Sequence, residues 1–228
     1  GIIVLGLWAV VMHGVRRGAP PAVTTSARTL RPPESWRSRW AKASASPRFD
    51  RWVAAGFWVV ALSLYLVRLG TPPAEHYDEV HHVKTARQLL HVQEPTEWTH
   101  PHLGKLAMAA SMRAFGERPF AWRLPGAILG GCTVALLYLL GVSLSSRMVG
   151  GMAALLLLFD GLQFVISRIG MVDVYLVCWM LLAYLICARS FVTIWQPTRR
   201  AWLGLGLALG LAVASKWIAF YTFAAIGT

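Results

Sequence analysis

Asparagine is absent from this 228-residue chain, cysteine occurs three times, and ten acidic residues face twenty-two basic ones. Each shortage excludes something. Cys132, Cys178 and Cys187 all lie inside apolar runs, so they supply neither a disulfide framework nor a paired zinc-ligand spacing and serve as packing residues. The missing asparagine goes with arginine over lysine at 18 to 4, a bias that hints at a GC-rich bacterial genome. The shortage of acids leaves a formal net charge of +12, which invites a nucleic-acid reading until the charge is located. Residues 16–51 hold nine basic residues against Glu34 and Asp50 in a Pro/Ser/Ala-rich stretch without hydrophobic periodicity. No recognition helix or aromatic-interleaved basic fold accompanies it, so no nucleic-acid partner is expected. The stretch reads as a disordered cytoplasmic segment attracted to anionic lipid headgroups.

What the chain has in abundance is long apolar runs, at 52–69, 122–141, 148–166, 171–188 and 201–215, with another beginning at Trp217. A bilayer-crossing helix needs about 20 such residues, and 56% hydrophobic content exceeds what a soluble domain carries. The expected fold is all-α, a polytopic transmembrane helix bundle with the lipid bilayer as a partner. Residues 1–15 form an apolar stub, read as part of an earlier spanning segment because it lacks the charged start and cleavage site of a signal peptide. The chain starts at Gly1 and stops at Thr228 inside an apolar run, which makes it the expected fragment of a longer protein.

Arg147 marks one short connection and Arg189, Arg199 and Arg200 another, on the side of the basic segment. That side is cytoplasmic by the distribution of Lys and Arg, so the loop 70–121 lies outside. It gathers six of the seven histidines, His76, His81, His82, His91, His100 and His102. Residues 78–91 place Val80, Val83, Ala86, Leu89 and Leu90 at helical spacing, and 103–115 is apolar but too short to span, so both are expected as external amphipathic surface helices.

Asp78 and Glu79 come directly after the first span. Two carboxylates at a membrane surface suit acid–base chemistry; the dipole of the helix they lead into would favour two acids there as well. On a helix they diverge, so they are not the opposed pair of a glycoside hydrolase. His76, His81 and His82 are spaced five and one apart, unlike the i, i+4 pair of a zinc helix. No metal ligand set is expected, and a carboxylate-held divalent cation stays open. Lys105, in the run His100-Pro101-His102-Leu103-Gly104-Lys105, has two readings, a lipid-phosphate contact or a snorkelling side chain. Ser167, Arg168 and Asp173 lie between two spans, where ionisable groups pair with one another or mark a substrate path; Asp160 and Lys216 add charge to the same side.

These pieces, in order, are Asp78-Glu79, the His100 to Lys105 run, Trp122-Arg123-Leu124-Pro125, Asp160-Gly161-Leu162, Ser167-Arg168 with Asp173, and Ser215-Lys216-Trp217. The ordered set resembles the protein O-mannosyltransferase family and its bacterial relatives, the phospholipid-carrier-dependent glycosyltransferases of the GT-C superfamily. The chain departs from the family's pattern at His102, where a second proline is usual, and the basic N-terminal extension has no counterpart.

The resemblance implies inverting transfer of a sugar, usually mannose, from a polyprenyl-phosphate donor to an acceptor hydroxyl at the external face of a bacterial plasma membrane. It places residues 52–228 in the N-terminal part of a GT-C catalytic domain and implies no tightly bound metal or other cofactor. Asp78 is then the candidate base and Glu79 its support, orienting the acceptor or the loop. The substrate-binding set is Arg168, first for the phosphate because its planar fork matches phosphate oxygens, with Lys105, Arg123 and Lys216 as further cations and His100 and Asp173 beside them. The acceptor is a protein Ser or Thr; lipid A or an envelope glycan is the alternative, and a lipid-phosphate transporter or flippase without chemistry is the reading of another class.

Overall fold

The computed structural model describes residues 47–192 and 197–227. The expectations for residues 1–15, and for 16–46 of the basic segment, lie outside the described residues. The chain divides into two compact units, Gly1–Arg51 and Trp52–Thr228, and the second contains the helices that build the candidate site.

Every regular element among the described residues is helical: α1 Pro47–Leu66, α2 Glu79–Leu90, α3 Leu103–Phe115, α4 Pro119–Leu144, α5 Arg147–Leu158, α6 Gly161–Ile166, α7 Asp173–Cys187, α8 Arg199–Ser215 and α9 Phe220–Gly227. A π-helical turn, Ala188–Val192, prolongs α7, and a 3-10 turn, Trp217–Ala219, precedes α9. Three helical stretches are long and apolar enough to cross a membrane: α1, α4 and the continuous Asp173–Ser190. This is an all-α membrane bundle, as the apolar runs require.

The bundle is held by small residues that let helices approach. Ala54, Ala61 and Tyr65 of α1 pack with Ala127, Val134 and Tyr138 of α4 and with Ala154 and Leu158 of α5. A Cβ built on Gly141 of α4 would stand 2.6 Å from the Cα of Gly150 in α5, so this crossing exists only because both positions lack a side chain. Pro125 sits inside α4, where it cannot bond the carbonyl four residues earlier. That carbonyl, on Ala121, instead accepts the Ser111 hydroxyl of α3 at 2.6 Å, so the proline's gap fastens α3 to α4.

Two expectations change in detail. The apolar run 148–166 is not one helix: α5 stops at Leu158, and Asp160 caps α6 by accepting the Gln163 N–H at 2.7 Å. A carboxylate that captures an N–H of the next helix starts a new one. The apolar stripe of α2 is buried in protein: Val83 and Ala86 pack with Met108, Ala109 and Met112 of α3, Trp122 of α4 and Tyr175 of α7. Of that stripe Val80 is left 44% exposed, so a large part of α2's amphipathicity serves tertiary packing.

Candidate active site

The site is built where the chain leaves α1, and its centre is Glu79 at the first position of α2. Its carboxylate is fully buried and accepts five N–H donors from four residues in three segments. Oε1 takes Trp122 Nε1, Arg123 Nε and the Gly170 amide, each at 2.8 Å. Oε2 takes Arg123 Nη2 at 3.0 Å and the His76 amide at 3.1 Å. Burial alone would raise this carboxyl's pKa, but the Arg123 guanidinium and the Gly170 and His76 amides hold it below the usual range. Glycine at 170 eases this approach, since a Cβ there would stand 3.0 Å from the Glu79 Cγ and press on a side chain already fixed by its bonds.

Arg123 is committed just as completely. Besides its two bonds to Glu79, Nη1 donates to the Leu69 and Pro72 carbonyls at 3.2 and 2.8 Å, and Nη2 to the Ala74 carbonyl at 2.8 Å. All five guanidinium donors are therefore used. The Glu79–Arg123 pair ties the segment leaving α1 to the start of α2, to α4 and to the loop at Gly170. In this geometry Arg123 has no donor left for a substrate.

Asp78, one residue earlier, is the opposite case. It is exposed, and its carboxylate makes no capping hydrogen bond although Asp78 occupies the N-cap of α2. Four other acids of the loop are paired with cations: Glu75 with Arg87, Glu79 with Arg123, Glu97 with Lys105, and Glu117 with His91 and Arg87. Asp78 is paired with no cation among the described residues, so its exposed carboxylate is open to a reactant.

Arg168 lies beside the same segment. Its Nη2 donates to the Val67 carbonyl, its guanidinium sits 4.8 Å over the Phe164 ring, and its Nε is buried without a partner. A cleft of about 410 Å³ opens between Arg168, Val67, Arg68, Thr71 and Pro72. A smaller one of about 160 Å³ adjoins it through Thr71, Pro72 and Arg168 and reaches Arg123. The linings hold three arginines and no carboxylate. Burial, then the charges of Arg123 and Arg68, push the Arg168 guanidinium's pKa down, as expected where positive charge is gathered without a counterion. Arg68 is exposed and adopts φ +52°; sequence reasoning passed over it because an arginine ending a span looks like a snorkelling residue.

The remaining predicted residues fall into two other groups. Lys105 is fully buried and donates to the His100 carbonyl at 2.8 Å and the Glu97 carbonyl at 3.3 Å, while pairing with the Glu97 carboxylate. His100 contributes its amide to Glu97 Oε1 at 3.1 Å, and its ring lies 5.9 Å from that of His82. His82 is buried with Nδ1 3.5 Å from Glu97, and burial pushes its pKa down. This cluster fastens α2 and α3 to the loop between them. Asp173 pairs with Lys216 at 2.7 Å, not with Arg168, and so joins the start of α7 to the end of α8. Among the described residues no group of three His, Cys, Asp or Glu side chains is arranged to hold a metal ion.

Glu97 gives the platform an acid-sensitive tie. Burial opposes its ionisation, but the Lys105 ammonium and the His100 amide hold its pKa down at about 2 against an ordinary 4.5. A carboxyl whose folded pKa is depressed contributes stability above its unfolded pKa and loses it as the pH falls through the folded one. The detergent-solubilised protein should therefore lose thermal stability between pH 4.5 and about 2, and Glu97→Gln should flatten that part of the profile. A variant with an unchanged slope would remove Glu97 as the cause.

Residues 118–228 match a family described as dolichyl-phosphate-mannose-protein mannosyltransferase. The chain is 33% identical over 183 residues to a polyprenol-phosphate-mannose–protein mannosyltransferase of Mycobacterium tuberculosis, an alignment covering 68% of this chain and 34% of the relative. The protein of the same name in Mycolicibacterium smegmatis is 33% identical over 179 residues, covering 67% and 34%. Dolichyl-phosphate-mannose–protein mannosyltransferase 1 of Candida albicans is 27% identical over 200 residues, covering 78% and 22%. The chain thus spans about a third of the length of the bacterial relatives it matches.

Proposed function

This chain belongs to the protein O-mannosyltransferase family, and from that premise we propose that the whole protein transfers mannose, with inversion, from a polyprenyl-phosphate carrier to Ser or Thr hydroxyls of polypeptides. The observation that carries the reading is the contrast between neighbours: an exposed, unpartnered Asp78 beside a Glu79 that is wholly engaged. A general base has to reach the acceptor proton. Asp78 is free to do so, while Glu79 fixes the turn from which Asp78 projects.

Asp78 takes the proton from the acceptor hydroxyl as its oxygen attacks the anomeric carbon. The bond to the carrier phosphate breaks on the opposite face, and the departing phosphate keeps the electron pair. A phosphate is a good leaving group, so no acid is required behind it; cations that meet the growing charge are enough. Arg168 and Arg68, in a cleft without carboxylates, fit that role. Arg123 and Lys105, whose donors are consumed internally, act as positioning groups, and Lys216 is engaged by Asp173. The cleft faces the external side of a bacterial plasma membrane in this reading, with carrier lipid and exported polypeptide as partners.

The full-length protein supplied with labelled polyprenyl-phosphate mannose and a Ser/Thr peptide should label the peptide. Label entering lipid would move the acceptor to lipid A or an envelope glycan, and translocation without any new glycosidic bond would make the protein a transporter. Replacing Arg168 removes a charged hydrogen-bond donor, an interaction of about 1.5–3 kcal/mol, so Arg168→Gln should raise the donor KM roughly ten- to a hundredfold. A donor KM within twofold of wild type would exclude Arg168 from the phosphate site.

A further inference from the structure

We propose that Tyr77 is an acceptor-binding residue: its ring is the platform on which the polypeptide lies as it presents a hydroxyl to Asp78. The inference rests on the transferase reading above and adds to it the residue that meets the acceptor.

Tyr77 is 81% exposed and has φ +53°. That left-handed backbone is disfavoured for a bulky side chain, and glycine adopts it without cost. Folding alone gives no reason for an aromatic here, because so exposed a ring makes little use of the core. The conformation is imposed from both sides. The Glu79 amide donates to the His76 carbonyl at 3.1 Å, and the His76 amide donates back to Glu79 Oε2 at 3.1 Å. Glu79 is in turn immobilised by Trp122, Arg123 and Gly170. A disfavoured conformation so fully determined by its surroundings, next to a reactive group, is the pattern found where binding or catalysis requires a particular presentation.

The ligand chemistry comes from the ring. A tyrosine offers a flat apolar face and a hydroxyl with little rotamer entropy to lose, which suits an adaptable peptide surface. Val80, three residues on in α2, is a second exposed apolar side chain at 44%. Tyr77 does not line the arginine cleft. In an inverting displacement the leaving phosphate and the acceptor oxygen lie on opposite faces of the sugar carbon, and the base contacts the acceptor. A residue flanking the base and absent from the phosphate cleft therefore belongs to the acceptor's side.

The test uses the full-length protein, polyprenyl-phosphate mannose and a Ser/Thr peptide, in detergent and in vesicles. Tyr77→Gly keeps the turn and removes the ring; Tyr77→Phe keeps the ring and removes the hydroxyl. Tyr77→Gly should raise the peptide KM about tenfold, leave the donor KM within twofold and leave thermal stability undiminished, while Tyr77→Phe stays near wild type. An unchanged peptide KM in Tyr77→Gly overturns the proposal, as does a fall in kcat alone or an equal rise in donor KM, either of which would mean a displaced Asp78. A defect confined to vesicles would identify a membrane contact and overturn it too. If the wild-type protein labels no peptide, the transferase reading has failed first and this proposal falls with it.

Discussion

Asp78→Asn in the full-length protein is expected to abolish sugar transfer while membrane insertion and thermal stability stay at wild-type levels. Both halves of that result come from the same geometry. The carboxylate is exposed and makes no capping bond to α2, so its amide replacement breaks no internal hydrogen bond and leaves the Glu79–Arg123 pair intact. An amide of the same shape cannot accept the acceptor proton, and loss of a positioned general base costs about 10²- to 10⁴-fold in rate. Because the change is confined to proton transfer, the loss should appear in kcat and kcat/KM equally, with donor binding unaltered. Transfer within a factor of about three of wild type would take the base role from Asp78. A fall in thermal stability would show instead that the carboxylate's charge supports the start of α2, since asparagine caps a helix as well as aspartate does. The contrast with Tyr77→Gly is useful here, since that variant is expected to move the peptide KM and not the rate at saturation.

The acidic pair was legible in the sequence because its two members are neighbours, and its setting between a span and an amphipathic segment is local information. The division of labour between them was not. Glu79 is distinguished by Trp122, Arg123 and Gly170, which lie 43, 44 and 91 residues away, and sequence separation of that size carries no geometry. The cations show the same limit. Arg123, Lys105 and Arg168 are equivalent as charges beside a membrane, and only tertiary structure shows two of them buried with their donors satisfied and one facing a cleft. Asp173 meets Lys216 from the end of α8, not the nearby Arg168 that spacing alone suggested as partner. At the level of the fold, the spans were readable because apolar length is a strong signal. The break at Asp160 had one visible cue, an acid inside an apolar run, and the packing of α2 against α3 had none beyond its amphipathic period, which serves a membrane surface and a protein core alike.

Replacing Arg123 is expected to do most damage to the fold, even as Arg123→Lys, which keeps the charge. Arg123 is 1% exposed and supplies five bonds in a fixed plane, two to Glu79 and three to the carbonyls of Leu69, Pro72 and Ala74. Lysine offers three donors from one point and cannot span the same set, so at least two of these five bonds are lost, those to Glu79 and to the Leu69 carbonyl being the buried ones. Each unsatisfied buried group costs about 1–3 kcal/mol, and removing one partner of a buried ion pair altogether costs about 3–5 kcal/mol. Arg123→Met should therefore be at least as destabilising as Arg123→Lys. Glu79→Gln should take the same course, since an amide NH₂ would face the guanidinium where a carboxylate oxygen now accepts. Adding Glu79→Gln to Arg123→Met should cost less than the two separate losses combined, with coupling of about 0.5–3 kcal/mol, because the second change removes a charge the first left unpaired. Thermal unfolding in detergent measures all four proteins. Strict additivity would mean the two side chains act independently and would undo the account of Glu79 as the support of Asp78. Activity provides the complementary reading: where the Arg123 variants still fold, the segment at Leu69, Pro72 and Ala74 is released from α4, and Asp78, whose turn hangs from Glu79, loses its placement. Those variants should lose kcat in the fraction that remains folded, which distinguishes a displaced base from an unfolded enzyme.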